Sequence, residues 1–135
     1  MNKRYFTEHE ANETIPKVKR ELAGLKSVTQ SFGEQYEQLE QHKKTLLYRH
    51  KTKVDEDILF KKESRMEFME LEAQTFIRNL LSFGVKIIDI ENGLIAFPAV
   101  LNGEEVELYW KEGQENVTLN PQVSLLERSK EDDRV

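Results

Sequence analysis

At 135 residues, with 38% hydrophobic residues, 33% charged residues and a net charge of −5, the chain has the size of one domain and the polarity of long solvated helices. It contains no cysteine, which removes disulfides, thiolate nucleophiles and Cys-ligated zinc or iron–sulfur centres. The acidic balance disfavours general nucleic-acid binding. No apolar run is long enough to cross a bilayer and the N-terminus lacks an apolar signal core, so a soluble cytoplasmic protein is expected.

Tyr5 and Phe6 form a short aromatic start, expected to dock on the sheet or on the helix ends. Thr7-Glu8-His9-Glu10 has the form of a capping box: the Thr hydroxyl accepts an orphan N–H and Glu10 reaches back to the cap. A short helix should follow and stop before Pro16, which disfavours a helical Ile15 and suits the first position of a new helix.

From 16 to about 53 only Gly24 and Gly33 interrupt the helical pattern. Val18, Leu22, Leu25, Thr29, Phe32, Tyr36, Leu39, Lys43, Leu46 and His50 recur at alternating spacings of four and three, the seam of a packed helix pair. The glycines permit either close helix contact or a bend. Arg49, Lys51 and Lys53 close this helix, and Asp55, Glu56 and Asp57 open the next, both in the sense that complements the helix dipoles. The second helix is expected from about 55 to 82. Its seam is Leu59, Lys62, Met66, Met69, Ala73, Phe76, Leu80 and Phe83, so the two helices form an antiparallel hairpin that Gly84 ends.

Asn92-Gly93 and Asn102-Gly103 are hairpin signals, because both residue types tolerate positive φ. They divide the next stretch into strands over 85–90, 94–100 and 105–110, with a short fourth strand allowed over 116–119. Val106, Leu108 and Trp110 alternate with Glu105, Glu107 and Tyr109, which describes one covered and one wet face. Ile95, Phe97 and Ala99 should belong to the covered face, and Pro98, with no N–H, should lie at an irregularity or face no partner. The fold class is therefore α+β: a short helix, a long antiparallel helical hairpin, and a three- or four-stranded antiparallel meander. Residues 1–121 read as one domain and 122–135 as a charged, disordered tail.

Arg4-Tyr5-Phe6-Thr7, Glu10-Ala11-Asn12, the Ile15-Pro16 step, Gly93-Leu94-Ile95-Ala96-Phe97-Pro98 and Leu108-Tyr109-Trp110-Lys111 resemble an uncharacterised bacterial family, the domain of unknown function numbered 2203. The resemblance extends to about Leu119. It implies a fold and no activity. The chain departs from the family pattern at Ala96, Tyr109 and Gln114, where Asp, Cys and Glu are frequent, and at Leu119-Asn120-Pro121, where a Trp-His pair is frequent. A polar or metal site on that sheet face in other members would be lacking here.

His9 and Glu13 echo half of a helical zinc-protease motif, but one His and one carboxylate cannot supply a full ligand set, so capping and surface charge are the reading. His42 and His50 lie about two turns apart. With a facing carboxylate such as Glu56 they would make at most a weak site. Neither a Glu-x-x-His pair nor a nucleophile elbow, phosphate loop or dinucleotide fingerprint occurs. No catalytic residue, metal ligand or cofactor-binding residue is assigned, and no cofactor or enzymatic activity is expected.

Two surfaces remain. Phe60, Phe68 and Leu71 fall on the side of the second helix opposite its seam, an apolar stripe of the kind that marks an interface. Lys43, Lys44, Arg49, Lys51 and Lys53 gather at the hairpin tip as possible contacts for an anionic partner. The leading expectation is a non-enzymatic interaction or scaffold protein that forms a homodimer through its hairpin and binds a protein partner the sequence does not name. The alternative is a nucleic-acid-associated module using the basic tip, and an enzyme with a site on the wet sheet face is weaker than either.

Overall fold

The computed structural model describes residues 4–119. Helix α1 (Glu8–Thr45) and helix α2 (Lys53–Ser82) are followed by strands β1 (Lys86–Asp89), β2 (Leu94–Leu101) and β3 (Glu104–Lys111). The sheet is antiparallel in the order β1-β2-β3. The expected tail over 122–135 lies outside the described residues. The described residues fall into two compact units, one of 4–23 with 77–119 and one of 24–76.

The first unit holds the sheet. Asn102 (φ 54°) and Gly103 (φ 81°) turn β2 into β3 as a two-residue hairpin, with Leu101 opposite Glu104. The first turn is wider: a register shift lies between Ile87 and Asp89, and the Gly93 N–H donates to the Ile90 carbonyl at 3.1 Å. Ile95, Phe97 and Ala99 of β2 and Leu108 and Trp110 of β3 are buried with Ala11, Ile15, Val18 and Leu22 of α1. The Phe6 N–H donates to the Pro98 carbonyl at 2.8 Å, in line with β1, whose pairing ends at Ala96. In a strand N and C=O of one residue point the same way, so the missing Pro98 N–H faces a neighbour that donates to it.

The separate short helix is not formed. The Thr7–Glu10 box starts α1 as expected, with Thr7 N–H to Glu10 at 2.8 Å and Glu10 N–H to Thr7 at 3.0 Å, but α1 then runs through Pro16. Ala11, Ile15, Val18 and Leu22 are all buried at one unbroken helical phase, while Pro16 lies on the exposed side. Burying Ile15 contributes about 2–3 kcal/mol, which offsets much of the roughly 3 kcal/mol that an interior proline costs. The carbonyl left without a donor, that of Asn12, is on the half-exposed side, where water reaches it.

The far end of α1 differs too. It stops at Thr45 rather than near Lys53, so the 38-residue helix is displaced eight residues towards the N-terminus. Tight bonds from Leu46, Leu47 and Tyr48 N–H to the carbonyls three residues back close it. The seam also shifts phase. Leu25 and Leu39 are buried as expected, but Thr29, Tyr36 and Lys43 are exposed, and Val28, Gln35 and His42 turn inwards in their place. His50 lies exposed in the connection. The α2 seam is as expected, with Leu59, Met69 and Leu80 buried and Lys62, Met66, Ala73, Phe76 and Phe83 half-buried.

No fourth strand forms among the described residues. Thr118 makes one two-way bridge to Tyr109, at 2.7 and 2.8 Å, and Asn12 accepts the Val117 N–H at 2.8 Å. The bond from the Trp110 indole to the Gln114 carbonyl, at 2.9 Å, curls the chain into that position.

Candidate interaction surfaces

The hairpin tip is organised by Asp55, which is 3% exposed. Thr52 caps α2 and Asp55 completes the box: the Thr52 N–H donates to Asp55 at 2.8 Å and the Asp55 N–H to the Thr52 hydroxyl at 3.2 Å. The Arg49 guanidinium grips both carboxylate oxygens, at 2.6 and 2.8 Å. His42 Nε2 lies 3.0 Å from Oδ1. A helix continued to Lys53 would leave this carboxylate buried without these partners, which explains why α1 ends early. Arg49 and the Thr52 N–H hold the Asp55 carboxyl far below the usual carboxylate range, and Asp55 raises Arg49 in turn.

A pH dependence follows. The unfolded chain protonates Asp55 near pH ~3.9, whereas the native carboxylate stays charged well below that. Its contribution is therefore fully present above pH ~4 and is lost progressively as the pH falls further. The gap in urea midpoint between the wild type and Asp55→Asn should be full at neutral pH and shrink in acid. A gap unchanged down to pH ~3 would show that the carboxylate is not held in this way.

Sequence reasoning set His42 and His50 beside a carboxylate such as Glu56 and missed Asp55 as the partner. The signal was present: Thr52-Lys53-Val54-Asp55 has the spacing of the Thr7–Glu10 box. Of the basic tip residues, Lys43, Lys44, Lys51 and Lys53 are exposed, with Lys43 Nζ 3.9 Å from Glu40, while Arg49 is committed to Asp55. His9 meets Glu13 at 3.3 Å on the surface. Among the described residues no three His, Asp or Glu side chains gather to hold a metal ion.

Phe60, Phe68 and Leu71 are 72%, 61% and 61% exposed. At ~100° per residue they occupy one side of α2, opposite Leu59, Met69 and Leu80. A shallow groove of about 530 Å³ runs beside Phe60, Glu63, Ser64 and Glu67. Exposed Glu56, Glu63, Glu67 and Glu70 flank the stripe on one side; Lys61 and Arg65 lie on the other, where Asp57 and Glu72 also fall.

The second face of the sheet is less wet than alternation implied. Leu94, Ala96 and Pro98 of the central strand are buried. Lys86 of β1 reaches across β2 to Glu107 of β3 at 2.6 Å, and its stem roofs the strand. Ala96 lies in register between Lys86 and Tyr109, and its small side chain leaves room for that crossing. Glu107 raises Lys86, while Tyr109 is raised first by burial and then by Glu107, whose carboxylate accepts its hydroxyl at 3.2 Å. Tyr5 donates to Glu105 at 2.5 Å, which raises the phenol.

The model of a family described as Uncharacterized conserved protein (DUF2203) matches residues 4–123. No curated protein and no solved structure matches the chain.

Proposed function

The chain belongs to this family of uncharacterised conserved proteins, and we propose that it is a non-enzymatic cytoplasmic interaction protein that pairs with a second copy through the outer face of α2. The observation that carries the reading is the exposure of Phe60, Phe68 and Leu71 on one side of one helix. Large apolar side chains left exposed along one side of a helix mark association sites, and each one buried contributes roughly 1.5–3 kcal/mol before the cost of association. Two parallel α2 helices related by a two-fold axis place the acidic flank of each, with Glu56, Glu63 and Glu67, against the mixed flank of the other, where Lys61 and Arg65 stand beside Asp57 and Glu72. Two hairpins paired this way make a four-helix bundle.

Light scattering on a gel-filtration peak at micromolar concentration is the test. The expected mass is twice the 15.9 kDa of one chain. Phe68→Asp, at an exposed position, should leave the helical circular dichroism intact and give the single-chain mass. A wild-type monomer would overturn the reading.

A further inference from the structure

Residues 43–54 contain five of the 20 Lys and Arg residues and none of the 25 Asp and Glu residues. In a chain of net charge −5 this stretch carries +5, with Glu40 before it and Asp55, Glu56 and Asp57 after it. Within the same stretch Leu47, Tyr48 and Val54 are 74%, 88% and 66% exposed. Leu47 and Tyr48 stand in the tight turns that close α1, and Val54 stands in the first turn of α2. Asp55, the first acid after this stretch, is turned inwards and held by Arg49 and Thr52. The tip is therefore a hydrogen-bonded turn that exposes apolar side chains within a lysine-rich stretch.

We propose that this tip docks on an anionic lipid surface, with Leu47, Tyr48 and Val54 entering the headgroup boundary and Lys43, Lys44, Lys51 and Lys53 contacting the lipid phosphates. Exposed apolar side chains and exposed lysines within one twelve-residue stretch combine the two terms that hold peripheral proteins on membranes, burial of apolar area and attraction to anionic headgroups. A nucleic acid fits less well. Its recognition favours planar guanidinium groups and several stacked aromatics, whereas this stretch has a single exposed aromatic, Tyr48, its Arg49 is engaged by Asp55, and the exposed aliphatic groups of Leu47 and Val54 find no counterpart on a phosphate backbone. The contact is peripheral, since no helix among the described residues is long and apolar enough to cross a membrane.

Full-length protein is mixed with vesicles of phosphatidylcholine alone, or of phosphatidylcholine and phosphatidylglycerol at about 7:3, and sedimented. The expected result is binding to the anionic vesicles only, released by added salt. Leu47→Asp, and Lys51→Glu with Lys53→Glu, should each weaken that binding about tenfold or more while the melting temperature stays within a few degrees. In Tyr48→Trp the new indole should shift its emission to the blue on anionic vesicles, against the constant signal of buried Trp110. Absence of binding, equal binding to neutral vesicles, binding that survives both tip variants, or binding to homopolymeric RNA without binding to vesicles would overturn the proposal.

Discussion

Phe97→Ala is expected to destabilise the sheet-bearing unit by about 3–5 kcal/mol. Phe97 is fully buried at the middle of the central strand, opposite Leu108 and two residues from Ile95, which pairs with Trp110. Its ring packs edge-on against Phe6, with centroids 5.1 Å apart and planes at 85°. Phe6 in turn lies under the Arg4 guanidinium, 4.3 Å from its centroid, and its N–H holds the Pro98 carbonyl. The truncation leaves a cavity and also removes the surface on which residues 4–6 dock, so the neighbours cannot close it cheaply. A loss of this size is a large part of the 5–15 kcal/mol that typical domains possess. Urea unfolding followed by Trp110 fluorescence gives the measurement. Phe68→Ala, which removes the same ring from an exposed site, should change monomer stability by less than about 0.5 kcal/mol. A Phe97→Ala loss below about 1 kcal/mol would show that the core repacks.

The contrast between Phe97 and Phe68 was legible in the sequence, because both assignments rest on local periodicity. Alternation put Phe97 inside the sheet, and the helical angle put Phe60, Phe68 and Leu71 outside α2. Asn102-Gly103 and the Thr7–Glu10 box were legible for the same reason: each is complete within four residues. What sequence reasoning misplaced depends on partners distant in the chain. Pro16 carries a real local penalty, and only the burial of Ala11 and Ile15 in the folded chain shows why the helix continues. Spacings of four-three and three-four fit residues 25–46 equally well, so Val28 and His42 could displace Thr29 and Lys43 without disturbing Leu25, Phe32 or Leu39. With α1 extended to Lys53, Leu47 and Tyr48 became ordinary helix positions, so the basic tip was legible and its exposed apolar residues were not. Ala96 shows a different limit. A small residue between a lysine and a tyrosine on neighbouring strands carries no pattern of its own, and the Lys86–Glu107 bridge that roofs it is a three-strand event.

The two glycines of α1, alike in sequence, should respond to substitution with opposite signs. A Cβ on Gly24 would stand 2.5 Å from Cζ of Phe76, well inside contact distance. Ser27, Val28 and Ser31 of α1 and Met69 and Phe76 of α2 line a shallow cavity beside it. Gly24 therefore makes room for the Phe76 ring. Gly33 has open space, with nothing within 4 Å of its ideal Cβ, and its backbone is ordinary helix. Gly33→Ala should stabilise by about 0.5–1 kcal/mol, the intrinsic helix preference of alanine over glycine. Gly24→Val should destabilise by roughly 1–3 kcal/mol, since a branched side chain must push Phe76 and α2 away and gains little helix propensity in return. Phe76 is half-buried, so its ring has some freedom to swing towards solvent. Gly24→Ala offers that escape more room than valine does and should fall between the two other variants. Urea midpoints for the three variants, measured under one set of conditions, test the ordering Gly33→Ala, Gly24→Ala, Gly24→Val from most to least stable. If Gly24→Val matched the stability of Gly33→Ala, the Phe76 ring would not be packed over Gly24.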